Sequence, residues 1–153
     1  MLLLCAFVLG IAAGFRTMMA PTVVSWFARS GAVSVAGSPL AFMGYRYTPI
    51  ILTVLALGEI VNDKLPKTPS RKTPPQFIAR ILSGALTGAT IGAAANSLVL
   101  GAILGAAGAI VGTLGGAAAR SRLAAVFGRD LPAALTEDIY TIAIAILSLM
   151  VLR

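Results

Sequence analysis

The sequence predicts an all-α membrane protein with about five transmembrane helices. Hydrophobic residues make up 58% of the 153 residues and charged residues only 11%, whereas a soluble domain carries about 25% charged residues. Several apolar runs approach the length that crosses a bilayer as a helix, about 20 residues. A β-barrel would show alternating hydrophobicity, which is absent. We therefore expect residues 1–153 to form a single transmembrane domain.

The first apolar run, residues 2–27, is expected to be a kinked or broken helix. Gly14, Arg16 and Pro21 lie close together within it, and this combination interrupts helices. No basic residues precede the run, which favours a retained span over a cleaved signal peptide. Two arrangements stay open. The run either crosses fully, with the N-terminus in the cytoplasm, or forms a re-entrant hairpin, with the N-terminus on the other side.

Four further spans are expected at about residues 49–65, 76–95, 98–119 and 131–152. The second span begins at Thr48-Pro49, a favourable N-cap followed by proline at the first helical position. The connection before it is expected to hold a short interfacial helix after Ser38-Pro39. Asn96-Ser97 is expected to form a tight turn between the third and fourth spans.

The distribution of basic residues predicts topology rather than nucleic-acid binding. The net charge is +7, but these residues sit mostly in short segments between apolar runs, as expected for membrane topology and contact with anionic headgroups. One side of the predicted bundle carries Lys64, Lys67, Arg71, Lys72, Arg80, Arg120, Arg122 and Arg129, and the other carries Arg29, Arg46 and Arg153. The richer side is expected to face the cytoplasm, which for five spans places the N-terminus inside.

Glycine recurs at every fourth position in the third and fourth spans. The stripes are Gly84-Gly88-Gly92, Gly101-Gly105 and Gly108-Gly112-Gly116, and the first span adds Gly10-Gly14. Small residues in one stripe let helix backbones approach closely in lipid. The stripes predict either packing within an antiparallel hairpin of one chain or a seam between the copies of a homo-oligomer.

Charged residues inside the spans are candidate substrate- or ion-binding residues, because burying charge in a bilayer costs at least a few kcal/mol. They are Arg16, Glu59, Asp63, Arg80, Glu137 and Asp138. The last five are expected to share one layer, roughly 5–12 Å from the cytoplasmic helix ends, that is negative overall if all are ionised. This layer predicts either internal pairing that stabilises the bundle or a proton or cation site.

Arg16 is expected to lie apart from that layer. It is about 20 Å along the first span, near or beyond mid-membrane. It either snorkels or pairs with a carboxylate of another helix, or it binds an anionic substrate beside the freed backbone groups of a broken helix.

The segment that joins the second and third spans combines cations, hydroxyls and four prolines. Lys64, Lys67, Arg71 and Lys72 are candidate ligands for phosphate or a lipid headgroup, although an ordinary cytoplasmic loop has the same composition. The chain has no histidine and one cysteine, so no metal, cofactor or catalytic residue is expected within one chain.

Three segments resemble one family of bacterial membrane proteins. They are Gly14-Phe-Arg-Thr17, Gly58-Glu-Ile-Val-Asn-Asp-Lys-Leu-Pro-Lys-Thr-Pro-Ser-Arg71 and Glu137-Asp138. The chain is similar over most of its length to the uncharacterised family catalogued as domain of unknown function forty-one twenty-six. The resemblance implies a small bacterial multi-span protein and implies no particular activity.

The leading functional hypothesis is a transporter or channel-like protein that moves an ion or a small anionic solute past the intramembrane charges. The alternative is a structural or lipid-binding membrane protein whose charges only stabilise the bundle. A third hypothesis, an enzyme acting on a lipid phosphate, is the weakest, because no nucleophile elbow, metal-ligand set or phosphate-loop motif is present.

Overall fold

The computed structural model describes residues 1–62, 73–128 and 130–150, and these residues form helices without any strand. The helices are α1 (Leu2–Phe15), α2 (Met19–Arg29), a short 3-10 helix (Ala41–Gly44), α3 (Thr48–Asn62), α4 (Pro74–Ala94), α5 (Leu98–Phe127) and α6 (Asp130–Met150). The predicted all-α class is confirmed. The 3-10 helix follows Ser38-Pro39, where the sequence predicted a short helix.

Within the residues that the structure describes, two helices are long and apolar enough to cross a membrane. They span Pro74–Ala94 and Leu98–Leu123, while the apolar helices Leu2–Phe15 and Thr48–Asn62 are shorter. α5 continues well past the predicted end near residue 119 and ends at Phe127, with Gly128 as its C-cap residue. Gly128 has φ +66, a left-handed conformation that glycine adopts without strain and that commonly ends helices.

The glycine stripes of α4 and α5 bring the two helix backbones into direct contact. A Cβ built on Gly88 would lie 2.2 Å from the carbonyl oxygen of Gly101, and one on Gly105 would lie 2.1 Å from that of Gly84. Since residue numbers rise along one helix as they fall along the other, the pair is antiparallel. The predicted turn joins them, with Asn96 at φ 52.

α1 packs against α5 through a second set of close backbone contacts, with the two helices parallel. A Cβ on Gly10 would lie 2.2 Å from the carbonyl oxygen of Gly105, and one on Gly112 would lie 2.2 Å from that of Ile11. These contacts favour the interpretation that the glycine stripes pack the helices of one chain against each other. The homo-oligomer stays a prediction.

The first predicted span is two helices, and the chain reverses direction between them. Gly84 of α4 and Gly10 of α1 both face Gly105, so the part of α4 near Gly84 lies beside α1. Pro21 of α2 lines one cavity together with Leu86 of α4. α2 therefore runs back alongside α1 in the opposite direction. The two helices form a hairpin with its tip at residues 16–18.

The hairpin is enclosed by α3 and α6. α3 runs antiparallel to α2, with Glu59 at the start of α2 and Thr53 accepting a hydrogen bond from the indole of Trp26 at 3.1 Å. α6 runs antiparallel to α1, since the Sγ atom of Cys5 donates to the carbonyl of Ser148 at 3.3 Å while Arg16, just after α1, lies beside Asp138 near the start of α6. The buried apolar core joins α1, α2, α4 and α6 and includes Leu9, Val24, Ile91 and Ala145.

A charged helix break as the candidate functional site

The end of α1 presents backbone carbonyls that Arg80 satisfies. The last carbonyls of a helix lack partners within it and form the negative end of its dipole. The Nη1 group of Arg80 donates to the carbonyl of Gly14 at 2.8 Å and to that of Phe15 at 2.6 Å. The hydroxyl of Thr113 also reaches the Gly14 carbonyl, at 3.3 Å. The cation of α4 thus caps the C-terminus of α1.

The start of α2 presents backbone N–H groups that Glu59 satisfies. The N–H of Thr17 donates to Oε1 of Glu59 and the N–H of Met18 donates to Oε2, each at 2.8 Å. Such groups at a helix N-terminus bind anions because the dipole adds to the hydrogen bonds. The carboxylate of α3 therefore occupies an anion position at the tip of the hairpin.

The two capping side chains are linked to each other across the break. Nη2 of Arg80 lies 3.8 Å from Oε1 of Glu59, and the two side chains are 4% and 19% exposed. The hydroxyl of Ser83 donates to the carbonyl of Thr17. The break is thus held by α3 and α4 together, and its charges compensate one another.

Arg16 lies in the break itself and pairs with α6. Its Nη2 lies 2.5 Å from Oδ1 of Asp138, with side chains 1% and 10% exposed. The ring of Phe15 packs edge-on against Tyr140 beside this pair, with the ring centres 5.3 Å apart. Burial lowers the local dielectric and strengthens the attraction between the two charges, which offsets part of their desolvation.

A third ion pair joins α5 and α6. Nη1 of Arg120 lies 3.7 Å from Oε2 of Glu137, whose side chain is fully buried. The carboxylates of Glu59, Glu137 and Asp138 therefore each lie within 4 Å of an arginine. Arg16, Arg80 and Arg120 therefore balance the formal charges of these three carboxylates. The predicted net negative charge of the whole layer stays a prediction, because Asp63 and Lys64 lie outside the described residues.

The structure brings together five of the predicted site residues: Arg16, Glu59, Arg80, Glu137 and Asp138. The expected separation of Arg16 from the layer is wrong, and the reversal of the chain explains the difference. If α1 starts on the side of the bundle opposite the basic segment, a residue about 20 Å along it has crossed most of the bundle. Such a residue therefore lies in the layer of charges near the basic segment. Asp63, Lys64, Lys67, Arg71 and Lys72 lie outside the described residues.

Sequence reasoning missed Arg120, Ser83 and the backbone groups of the break as partners in this cluster. A signal for Arg120 was present, since it continues the four-residue spacing of Gly112 and Gly116 and therefore falls on the stripe that packs inward. Nothing in the sequence pairs the N–H groups after Arg16 with Glu59, because that contact depends on how the hairpin docks.

The arrangement offers two kinds of ion ligand side by side. The carbonyls at the end of α1 suit a cation, and the N–H groups at the start of α2 suit an anion. In the described part of the chain, no group of three or more His, Cys, Asp or Glu residues is arranged to hold a metal ion. The break therefore brings groups that can ligate a cation and groups that can ligate an anion to one place in the bundle.

Comparison with known proteins identifies the family. No curated protein and no solved structure matches the chain. The family described as "Domain of unknown function (DUF4126)" matches residues 3–151, which is nearly the whole chain and includes every residue of the charged break. The chain therefore belongs to the DUF4126 family, as the resemblance of its Gly58–Arg71 segment indicated.

Proposed function

We propose that this protein is a multi-span protein of the bacterial inner membrane that moves an ion or a small anionic solute through the charged helix break. The observation that carries the proposal is the pair of helix ends at the tip of the hairpin, each capped by an ionisable side chain from a different helix. Irregular backbone at membrane depth is tolerated where it is buried in protein or lines a cavity. Discontinuous helices of this kind form the substrate sites of many transporters.

The surface of the bundle supports a membrane location. α3 exposes Ile51, Val54, Leu57 and Val61, each more than half exposed. Large apolar side chains in such a row are unfavourable in water and favourable in lipid. Together with the two candidate spans α4 and α5, this surface supports insertion of the whole bundle.

The hairpin refines the proposed topology. With α1 and α2 as a re-entrant pair, α3, α4, α5 and α6 make the full crossings and the N-terminus lies outside. The segment with Lys64, Lys67, Arg71 and Lys72 and the turn after α5 then face the cytoplasm, in agreement with the positive-inside rule. The charged break lies on the cytoplasmic side of the bundle.

Exchange of partners at Glu59 supplies a physical basis for transport. Neutralising or displacing this carboxylate frees the two N–H groups of Thr17 and Met18 and removes a negative charge from beside Arg80. The freed position attracts an anion, and return of the carboxylate expels it. The partial exposure of Glu59 makes it the capping group best placed for such exchange.

Flux into liposomes tests the proposal. Purified protein is reconstituted and proton, cation and small-anion fluxes are measured for the wild type, Glu59→Gln and Glu137→Gln. We expect both substitutions to abolish flux without changing assembly, because both carboxylates belong to the charged layer. Arg122→Gln is the control, since it removes a charge from an exposed position on α5. Wild-type flux in both carboxylate variants would end the proposal.

A structural or lipid-binding role is the second candidate. The observation in its favour is that each of the three described carboxylates of the break pairs with an arginine, so the charges stabilise the bundle without any ligand. On this reading Glu59→Gln and Glu137→Gln lower the melting temperature in detergent, and no flux is seen even for the wild type.

The lipid-binding part of this candidate has its own measurement. Binding to vesicles with anionic lipid is expected to weaken as salt rises, since exposed charges are screened. Replacing Lys67, Arg71 and Lys72 with glutamine is expected to remove the salt-dependent part. Binding that salt does not change would contradict this role.

A further inference from the structure

A cavity of about 330 Å³ opens beside the charged break. Its walls come from α3 and α4 and its floor from α2, with Leu52, Leu55, Leu82, Leu86, Met18 and Pro21 among the lining residues. Leu55 and Leu82 are 49% and 64% exposed, so the cavity is accessible from the side of the bundle. The volume lies at the lower end of the range for ligand pockets, roughly 300–1,000 Å³, and suits one hydrocarbon chain better than two.

The inner end of this cavity meets the anion position. Leu55 lies four residues before Glu59 on the same face of α3, and Ala79, another lining residue, directly precedes Arg80. Met18 lines the cavity, and its N–H holds Oε2 of Glu59. One helical turn therefore separates an apolar cavity from a carboxylate bound by two N–H groups and a buried guanidinium.

We infer that this site binds an anionic amphiphile with a single acyl chain, whose chain fills the cavity and whose headgroup takes the place of the Glu59 carboxylate. The anion position already holds a carboxylate, which shows the chemistry that it accepts. The apolar lining adjoining it selects for hydrocarbon on the same ligand. This inference goes beyond the proposed function, since it names a ligand for the same anion position and does not require that the ligand be transported.

The direction of the cavity agrees with a ligand from the cytoplasmic leaflet. From the break, the cavity extends along α4 from Ala79 toward Leu86, away from the start of that helix. With the basic segment before α4 in the cytoplasm, a headgroup at Glu59 lies on the cytoplasmic side and its chain points to the middle of the bilayer. Lipids of the inner leaflet have the same orientation.

The test measures binding of four probes by native mass spectrometry of the purified protein in a non-ionic detergent. The probes are hexadecanoate, hexadecanol, hexadecyltrimethylammonium and acetate. Glu59→Gln removes the competing carboxylate and leaves Arg80 in place. We expect this variant to bind hexadecanoate about tenfold more tightly than the wild type does, and more tightly than it binds any other probe.

A second pair of variants tests the cavity without touching the charges. Leu55→Trp fills the cavity and is expected to reduce hexadecanoate binding about tenfold. Leu57→Trp is the matched control, since Leu57 is 58% exposed and does not line the cavity. Equal binding of hexadecanoate and hexadecanol would refute the headgroup position, and equal binding to the two tryptophan variants would refute the chain position. Selective binding without flux in liposomes would retain this site and reject transport.

Discussion

The contact between α4 and α5 makes Gly105→Ala a sharp test of the packing. The added methyl carbon would lie 2.1 Å from the carbonyl oxygen of Gly84 and 2.9 Å from the Cα of Gly88. Ordinary contact begins near 3.4 Å, so α4 must withdraw by roughly 1.3 Å. Overpacking of this kind costs about 1–3 kcal/mol. The upper value applies here because the obstructing atoms belong to backbone and not to a flexible side chain.

Thermal unfolding in detergent, followed by circular dichroism, measures this effect. A loss of about 3 kcal/mol corresponds to a fall of roughly 6–12 °C in melting temperature for a protein of this size. Gly115→Ala is the control on the same helix, since its added methyl would meet nothing within 4 Å. That variant is expected to melt at or above the wild-type temperature, because alanine favours the helix by about 1 kcal/mol. Equal melting temperatures for the two variants would show that the close backbone contact is not present.

Two further predictions concern the ion pairs and the topology. Asp138→Asn removes the carboxylate 2.5 Å from Arg16 and is expected to lower the free energy of unfolding by about 3–5 kcal/mol. The double variant Arg16→Met/Asp138→Leu is expected to recover most of the lost melting temperature. No recovery in the double variant would contradict the pairing. In a Cys5→Ala background, a membrane-impermeant maleimide is expected to label a cysteine inserted after Met1, and Ser34→Cys, from outside intact spheroplasts. Ser121→Cys, exposed like Ser34, is the control for the cytoplasmic side and is expected to react only in inverted vesicles. Labelling of the N-terminal cysteine only in inverted vesicles would contradict the re-entrant hairpin, because a first run that crosses fully places the N-terminus in the cytoplasm.

Much of the fold follows from local sequence patterns. The ends of α4 and the turn at Asn96 were predictable because proline, glycine and asparagine restrict the backbone locally. The packing of α4 on α5 was predictable because glycines four residues apart form one smooth stripe. The interruption near Gly14 and Arg16 was visible for the same local reason, whereas the reversal of the chain at that point was not.

The residues of the candidate site were predictable from the sequence, but the geometry in which they meet was not. Charged residues in apolar runs are conspicuous, so Arg16, Glu59, Arg80, Glu137 and Asp138 were found from the sequence. The partner of each one was not found, because a pairing across helices depends on their rotation and depth in the bundle. The apolar cavity beside Glu59 was also invisible, since its leucines look like any others that face lipid or a core.

By itself, the sequence determined that this protein is helical and apolar, that its helices approach each other through glycine, and that a few charges lie within the apolar runs. Only the tertiary structure decided that α1 and α2 form a hairpin and that Glu59 and Arg80 cap the two ends of its break. The physical reason is that composition and spacing act within one helix. Capping by a side chain more than 40 residues away requires the docked bundle, in which unsatisfied backbone groups and buried charges find one another.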